Sequence, residues 1–558
     1  MSGRSARCER VSAALAAVAG EDAPAFDEVP RVTTAGVVLA AVGSVIALLA
    51  PVTFAGSARS VVAGLGGALA LSAAGFTWLA PAQIETFRRR SAVGAAPEVI
   101  AYAVVQARLT PSLELAARFA AEQSTGMLGR DLARNVANGP TGRESWTAFA
   151  TAWRDLDDAL PRAVELLAAG IESEAPARGE LFDRALATVL EGSRDRVASF
   201  AADVRGPATA IYAFGVLLPL AMVGMLPVAA AAGAGVSPAA IAVLYDGVVP
   251  LGLLVASGWL AARRPAVSRP PTNADALASD RSPASTLAVA AGASVVAGSA
   301  AVLALPSWAA WIVVPGATLG AAGVYWFEPL RRRRRRVLAL EAGVPDAVSL
   351  IGHRLAAGEP LETAVADVGA RLAGETGALF ETAGEVLRRV RVTVPEAFSG
   401  EIGALAGIES PRTETAVALL VAGARTGPEG GETLVRVASY LRDLDRMERE
   451  ARRELARTTD TLRQTALVFG PAIAGVTVAL ATGMESIGDA GTTVPVDALG
   501  VVVGAYVLAL AVVLPALSVV LERGPDVGLI GYRVSVSLLT ASAVYPITAV
   551  AARTVVQV

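Results

Sequence analysis

The segment FEPLRRRRRRVLALEAGVPDAV, residues 327–348, places six consecutive arginines between a long apolar run and a sequence with helical periodicity. Such a run is typical of a nucleic-acid patch, a localisation signal or the cytoplasmic edge of a membrane-spanning helix. No aromatic residues alternate with the arginines to stack on bases, which argues against nucleic acid. The preceding apolar run, residues 308–327, has the length of a bilayer-spanning helix. We therefore interpret the run as a topology anchor that contacts anionic lipid head groups, comprising Arg331, Arg332, Arg333, Arg334, Arg335 and Arg336.

The composition extends this interpretation to the whole chain. Of its 558 residues 54% are hydrophobic and only 18% are charged, and the mean hydropathy is +0.52. Soluble proteins carry roughly a quarter charged residues. The sequence therefore predicts an all-α, polytopic membrane protein with about nine transmembrane helices. The nine apolar runs cover residues 34–54, 61–80, 207–229, 239–262, 287–305, 308–327, 466–484, 498–521 and 527–550.

The position of the arginines predicts the orientation of these spans. Clusters at residues 88–90, 263–264 and 331–336 follow even-numbered spans, whereas the opposite loops are neutral or acidic. Basic flanks stay on the cytoplasmic side of a membrane. We therefore expect a multi-pass protein of the cell membrane with a cytoplasmic N-terminus and an external C-terminus.

Two polar segments between the spans are long enough to form domains. Both are rich in Ala, Leu, Glu and Arg with helical periodicity, which predicts two cytoplasmic helical bundles. A segment rich in Pro, Ser and Asp separates the two halves and indicates a flexible tether. The predicted divisions are a cytoplasmic tail 1–32, hairpin 33–82, helical domain 83–206, hairpin 207–262, linker 263–285, hairpin 286–330, helical domain 331–463 and three final spans 464–558.

Several kinds of chemistry are excluded by the residue types present. All 48 basic residues are arginine, so a lysine-dependent P-loop or Schiff base is excluded. With one cysteine and one histidine, an intrachain disulfide and a Cys/His zinc cluster are excluded as well. His353 is interpreted as a surface histidine, and the adjacent Asp157 and Asp158 as a solvated face. We therefore predict no catalytic residue, no metal site, no cofactor and no enzymatic activity, and the net charge of −3 predicts no nucleic-acid partner.

The two halves of the chain repeat each other in order and in local sequence. The segment PEVIAYAVVQARLTPSLELAARFA begins at Pro97, and PDAVSLIGHRLAAGEPLETAVADV begins at Pro345. Each is typical of a helix, a short proline-containing turn and a second helix. A duplicated arrangement in one orientation implies a pseudo-two-fold axis along the membrane normal. The matched pairs are Pro97-Glu98 with Pro345-Asp346, Arg108-Leu109 with Arg354-Leu355, and Leu113-Glu114 with Leu361-Glu362.

At residues 424–450, ARTGPEGGETLVRVASYLRDLDRMERE, a turn rich in glycine and acid precedes a long amphipathic helix. With the order of spans and domains, this segment resembles the type II secretion system F domain, in particular its archaeal branch. That family's hallmark is a Gly-Glu-x-x-Gly-like turn that opens a long helix into the membrane. Here the acids are offset from the glycines, and the first half retains only EAPARGELFDRAL. The corresponding structural turn residues are Gly427, Gly430 and Gly431.

The resemblance implies a membrane platform protein of a type IV pilus, archaellum or secretion machine. Its implied partners are a hexameric secretion or pilus ATPase, pilin or archaellin-like subunits and membrane lipids, and a homodimer would suit the two similar halves. Glu114, Glu362, Glu429 and Glu432 are candidates for the ATPase contact. The same acids are also favoured by the helix dipole where they lie in a first turn, without any partner.

Two further features bear on mechanism. Residues 432–469 contain no proline or glycine, which predicts a stiff helical connection from the second domain into the seventh span. Asp246 is the one acid well inside a predicted span, and such groups are functional candidates by default. It would pair with a pilin or another span, or lie at the outer interface. The alternative function is a secondary transporter with duplicated halves, which would carry charges near the midplane.

Overall fold

The structure, a computed structural model, describes residues 66, 89–124, 126–139, 141–231, 238–264, 281–408, 410–425, 427–485 and 496–556. Within these ranges all regular elements are helical, which confirms the all-α prediction. The predicted tail 1–32, the two spans of the first hairpin apart from residue 66, and most of the predicted tether lie outside the described residues.

The first half of the chain begins with five short helices and one long one. A Thr110-Pro111-Ser112 turn joins α1 to α2, and the Ser112 hydroxyl caps α2 by accepting from the Leu115 N–H at 3.3 Å. The long helix α6 leaves this group and continues into apolar sequence. The helices are α1 (Ala96–Leu109), α2 (Leu113–Gln123), α3 (Gly126–Asn138), α4 (Gly142–Trp153), α5 (Ala159–Glu172) and α6 (Ala175–Tyr212).

Five helices in the described residues lead from the first half into the second. A π-helical turn at Ala213–Leu217 joins α6 to α7, another at Val243–Val248 joins α8 to α9, and a 3-10 turn at Ser307–Ala309 precedes α11. The six arginines lie inside α11, which runs without interruption from apolar sequence into the second polar segment. The helices are α7 (Leu218–Ala231), α8 (Pro238–Ala242), α9 (Val249–Ala262), α10 (Pro283–Ala304) and α11 (Ala310–Ala356).

The second half again places short helices before a long one. The turn after α11 contains Gly358, whose φ of +87° suits glycine, and ends at Pro360. The third π-helical turn, Thr465–Phe469, joins α16 to α17. The helices are α12 (Leu361–Gly369), α13 (Gly374–Val390), α14 (Val394–Ser399), α15 (Pro411–Ala424), α16 (Pro428–Gln464), α17 (Gly470–Glu485), α18 (Val496–Arg523) and α19 (Val527–Val556).

Seven helical stretches within the described residues are long and apolar enough to cross a membrane. They correspond to the third to ninth predicted runs, so the chain has the character of a multi-pass membrane protein. Two of them, of 50 and 55 residues, continue from the polar helices into the apolar ones. The stretches are Ala177–Leu226, Ala240–Ala262, Pro283–Ala304, Ser307–Ala356, Pro428–Thr482, Asp497–Arg523 and Val527–Val555.

Two main apolar clusters hold the helices together. One, here called the bundle core, joins both polar segments and includes Phe149 and Phe182 of the first with Phe380 and Phe398 of the second. The other, here called the membrane core, packs α18 against α11, α16 and α19 and also includes the end of α6. The two polar segments thus share one continuous core. We call the helices of these two segments the bundle.

The Gly206-Pro207 pair in the sequence predicts a helix break at the membrane surface, and this prediction is wrong. Helix α6 continues through Pro207 to Tyr212. Proline lacks an N–H and crowds the carbonyl four residues earlier, but Val204 and Ala208 bury one side of α6 here, and the helix tolerates the single lost hydrogen bond. The Gly470-Pro471 pair likewise does not interrupt the path from α16 to α17.

Candidate functional site

The three π-helical turns share one sequence feature. They end at Leu217, Val248 and Phe469, and a proline follows two residues later in each case, at positions 219, 250 and 471. A proline leaves a carbonyl four residues earlier without its donor, and a π-helical turn widens the backbone there. Such turns often occur at functional sites. Each of the three contacts α18 or α19, the first through the hydrogen bond from Tyr506 to Gly215 and the other two through helix packing.

Tyrosines from neighbouring helices fill the space beside two of these turns. The Tyr506 hydroxyl of α18 donates to the carbonyl of Gly215, the carbonyl that Pro219 leaves without a helical donor. The Tyr245 hydroxyl donates to the Pro219 carbonyl at 3.0 Å. The rings of Tyr245 and Tyr506 meet edge to face with centroids 5.9 Å apart. The helical segments that contain these two turns are therefore joined through buried side chains.

Asp246 lies in the π-helical turn between α8 and α9. Both of its carboxylate oxygens are buried and have no hydrogen-bond partner within the described part of the chain. Tyr506 and Tyr545 lie within electrostatic range of it. The structure thus places this side chain inside the helix packing, rather than at an exposed interface. We call Asp246 with Tyr245, Tyr506 and Tyr545 the intramembrane site.

A second unsatisfied polar atom lies close to the intramembrane site. The Tyr545 hydroxyl donates to the Gly500 carbonyl at 2.7 Å, and its ring is 5.3 Å from that of Trp308. The indole Nε1 of Trp308 is buried without a partner among the described residues. An unpaired carboxylate in an apolar interior is costly, so a carboxyl here can bind a proton or pair with a cationic group.

The four acids predicted to contact an ATPase are all exposed at the surface of the bundle. Glu114 and Glu362 lie in the first turns of α2 and α12, and Glu114 is 3.5 Å from Arg118. Glu429 lies in the first turn of α16, with Glu432 one turn later. No ion pair or hydrogen bond between any two of the four occurs in the described ranges. Their positions fit both a partner contact and simple dipole stabilisation.

The predicted glycine turn has a clear structural reason. Gly427 caps α16 with φ +70° and ψ −144°, a conformation open essentially to glycine alone. Gly430 and Gly431 are buried in the following turn. A Cβ at Gly431 would lie 2.3 Å from the Ala356 nitrogen and 2.6 Å from the Gly352 carbonyl. The glycines therefore let α16 cross α11 at backbone contact.

The six arginines of α11 do not all face outward. Arg332, Arg333, Arg335 and Arg336 are exposed, whereas Arg331 and Arg334 are half-buried. The Arg331 guanidinium stacks on the Tyr532 ring at 4.0 Å, and Arg334 is 3.7 Å from Asp526. Two of the arginines thus hold α11 against the start of α19.

The sequence analysis missed an ionic cluster at the junction of the two halves. Arg412 of α15 contacts Glu448, Asp445 at 3.6 Å and Glu98 of α1 at 3.7 Å. Burial would lower the pKa of the Arg412 guanidinium, but the Glu448 and Glu98 carboxylates outweigh it and raise that pKa. A signal was present, because Glu448 continues the apolar stripe of Leu444 by four residues. A charge on a buried stripe predicts a buried partner.

Asp157 is not part of a solvated face, contrary to the prediction from the sequence. Its side chain is buried, 2.5 Å from Arg196, and it accepts the Ala159 N–H at 3.0 Å. Only Asp158 is solvated, where it pairs with Arg162. The two adjacent carboxylates point to different sides, and the turn before α5 carries one of them inward. Burial raises the pKa of the Asp157 carboxyl, although Arg196 lowers it in part.

His353 is exposed near the end of α11, as predicted. Within the described residues no group of three or more His, Cys, Asp or Glu side chains is arranged to hold a metal ion.

Comparison with known proteins gives no relative. The chain matches no protein-family model, no curated protein and no solved structure. The fold itself defines the class, an all-helical chain with seven described stretches suited to span a membrane.

Proposed function

We propose that this protein is the integral membrane platform of a type IV pilus-like assembly or secretion machine in the cell membrane. In this role it couples a cytoplasmic hexameric ATPase to the insertion of pilin or archaellin-like subunits into a filament. The observation that carries the proposal is the 55-residue helical path Pro428–Thr482, which runs from the bundle into the membrane core without a break. At ~1.5 Å per residue it is long enough to transmit a displacement across both regions.

A second long path supports the same mechanism. Ala177–Leu226 makes the same passage over 50 residues. The two paths are tied together where they leave the bundle, because Arg205 lies 2.6 Å from Glu454 and Val197 packs on Ala451. A partner that moves the bundle would therefore move both paths together.

The order of helices supports a duplicated arrangement. In each half, the helix that opens the bundle segment packs against the long helix that closes it, α1 with α6 and α11 with α16. The matched acids Glu98 and Asp346 both meet arginines of the second half, Arg412 at 3.7 Å and Arg442 at 3.0 Å. A nine-span protein with two bundle domains of this kind would expose Glu114, Glu362, Glu429 and Glu432 to the ATPase.

The orientation is consistent with a cytoplasmic bundle. Arg331 and Arg334 contact the start of α19, and Arg264 contacts the end of α18, so these arginines lie at the bundle side of the membrane core. Positive charge favours the cytoplasmic side, which would also place the N-terminus there.

A single backbone change in α16 tests the coupling. Arg453 is exposed and next to Glu454, before the membrane core. Arg453→Pro removes a helical hydrogen bond and kinks the path at a cost of about 3 kcal/mol, whereas Arg453→Ala keeps the helix. We expect Arg453→Pro protein to reach the membrane and bind the ATPase but to yield no filaments, while Arg453→Ala yields normal filaments. Normal filaments from Arg453→Pro would refute rigid coupling.

The intramembrane site favours a second candidate function, a secondary transporter. A buried carboxyl beside π-helical turns is typical of proton or cation pathways. In that case, proteoliposomes would show substrate-dependent proton or cation flux that Asp246→Asn abolishes.

A further inference from the structure

A buried arginine without an acidic partner lies where α9 leaves the membrane core. Arg264 is only 2% exposed. Its Nε donates to the Leu521 carbonyl at 2.8 Å, in the last turn of α18, where the helix dipole favours a cation. Its Nη2 is buried and has no hydrogen-bond partner among the described residues, and no described carboxylate forms an ion pair with it. The Leu521 carbonyl therefore satisfies only part of this guanidinium.

Two more arginines lie nearby. Arg523 precedes Gly524, where an added Cβ would lie 3.2 Å from the Nη1 of Arg264. Arg452 of α16 and Arg523, the last residue of α18, are within electrostatic range of each other, and Arg452 also acts on Arg264. Arg452 donates to Glu448 at 3.2 Å, but its Nε is buried and unpartnered within the described chain. Arg523 is exposed to solvent. The group therefore has one buried, one half-buried and one accessible cation.

The nearby acids also pair with other groups. Glu448 is shared with Arg412. Glu522 accepts from Thr459 at 2.7 Å and pairs with Arg533 at 3.2 Å, and Asp526 is 3.7 Å from Arg334. Burial and the charge of Arg452 lower the pKa of Arg264 to about 10, which leaves it charged at neutral pH. None of these three acids forms an ion pair with Arg264, so its Nη2 stays without an acceptor among the described residues at the boundary between bundle and membrane core.

The residues around this point are typical of the depth at which lipid head groups lie in a membrane. The neighbouring Trp259 is 40% exposed, and the Arg263 guanidinium stacks on its ring at 3.8 Å. Tryptophan and arginine are typical of the membrane–water interface. The α9 and α18 spans both end here, at Ala262 and Arg523.

We propose that Arg264, Arg452 and Arg523 form a binding site for a phosphate group at this boundary. Guanidinium groups match phosphate oxygens with paired hydrogen bonds, and basic pockets between membrane helices bind anionic head groups. The phosphate belongs either to an anionic phospholipid or to a free phosphate ion. In both cases it satisfies the unpartnered nitrogens and fixes the end of α9 against α16 and α18.

The test uses the purified full chain in uncharged detergent, with its lipid removed. Binding and thermal stabilisation are measured with phosphatidylglycerol, phosphatidylcholine and inorganic phosphate. Arg452→Gln and Arg523→Gln are compared with Arg453→Gln, which changes an exposed neighbour on α16. We expect saturable stabilisation by phosphatidylglycerol or phosphate that weakens at high salt. Each site variant should weaken binding about tenfold, as the loss of a charge-assisted hydrogen bond implies, and Arg453→Gln should not.

The outcomes separate the two sources. Stabilisation by phosphatidylglycerol that inorganic phosphate does not compete with assigns the site to a lipid. Stabilisation by inorganic phosphate alone assigns it to a free ion. No stabilisation by either, or an equal loss in Arg453→Gln, overturns the proposal. Because the assay does not require filaments, its result is independent of the platform function.

Discussion

The Tyr440 hydroxyl of α16 donates a 2.7 Å hydrogen bond to the Pro97 carbonyl of α1, joining residues 343 positions apart. Both groups are buried, in a small apolar cluster of Ala101, Leu190, Leu444 and Met447. The bond lies beside the Arg412 cluster, which also reaches α1 through Glu98. The two halves of the bundle are therefore locked by polar as well as apolar contacts.

Removing that hydroxyl should loosen the junction. Tyr440→Phe leaves the buried Pro97 carbonyl unsatisfied, so we expect a loss of about 1–3 kcal/mol in the free energy of unfolding. The measurement is the thermal unfolding midpoint in detergent. Tyr212→Phe is the control, because the Tyr212 hydroxyl makes no hydrogen bond within the described residues. Equal midpoints for Tyr440→Phe and the wild type would show that the bond adds nothing.

The crossing of α11 and α16 should not tolerate a methyl group. In Gly431→Ala the new Cβ meets the Ala356 nitrogen at 2.3 Å, so overpacking should cost about 1–3 kcal/mol. Gly179→Ala, in the corresponding segment of the first half, meets nothing within 4 Å. It should stabilise α6 by up to about 1 kcal/mol through helix propensity. Opposite shifts of the unfolding midpoint are expected, and a neutral Gly431→Ala would contradict the close crossing.

The pH dependence of stability should contain a contribution from Asp157. Its folded pKa is raised above the ordinary 3.8, so its contribution is complete below that pH and is lost as the pH rises through the folded pKa. Asp157→Asn should therefore flatten the fall in stability across this window. Asp158→Asn, at an 81% exposed side chain, should follow the wild type. Unfolding midpoints across the acid range measure the effect, and parallel curves for all three proteins would exclude it.

Replacing the intramembrane carboxyl should separate stability from function. Asp246→Asn removes a buried charge without a partner, so the unfolding midpoint should stay the same or rise while filament formation is lost. Asp497→Asn, at an exposed position in the first turn of α18, should change neither property. Intact filaments from Asp246→Asn would leave the site without a role in assembly.

Charge reversal at the bundle surface tests the partner contact. Glu362→Arg and Glu429→Arg should reduce co-purification of the full chain with its secretion ATPase. Both side chains are exposed, so the free energy of unfolding should remain within about 0.5 kcal/mol of the wild type. Glu401→Arg, at another exposed acid, is the matched control. Unchanged co-purification of both variants would place the contact elsewhere.

Much of this architecture was predictable from composition and periodicity. Seven of the nine predicted spans coincide with apolar helices in the described residues, and the turn at Gly427 opens α16 as expected. Periodicity is a local property, so it locates elements well. The Gly206-Pro207 pair predicted a break that is absent, because the buried side of α6 at Val204 and Ala208 outweighs one lost hydrogen bond.

The site was less predictable, because it depends on which helices meet. Asp246 was identified by its position in an apolar run, but two of its three tyrosine neighbours, Tyr506 and Tyr545, come from α18 and α19, more than 250 residues away in sequence. Arg264 carried no signal beyond membership of a basic cluster. Only the packing of α9, α16 and α18 shows that it is buried.

The π-helical turns change which side of a long helix faces its neighbours. Each adds a residue to its turn, so the side chains beyond it are rotated by about 100° relative to an uninterrupted α-helix. In the paths from α6 to α7 and from α16 to α17, this phase shift falls inside the membrane core, beyond Ile211 of α6 and Leu462 of α16. The faces that pack before and after each turn are thus set independently. One continuous rod can therefore meet two sets of neighbouring helices whose contact faces do not line up.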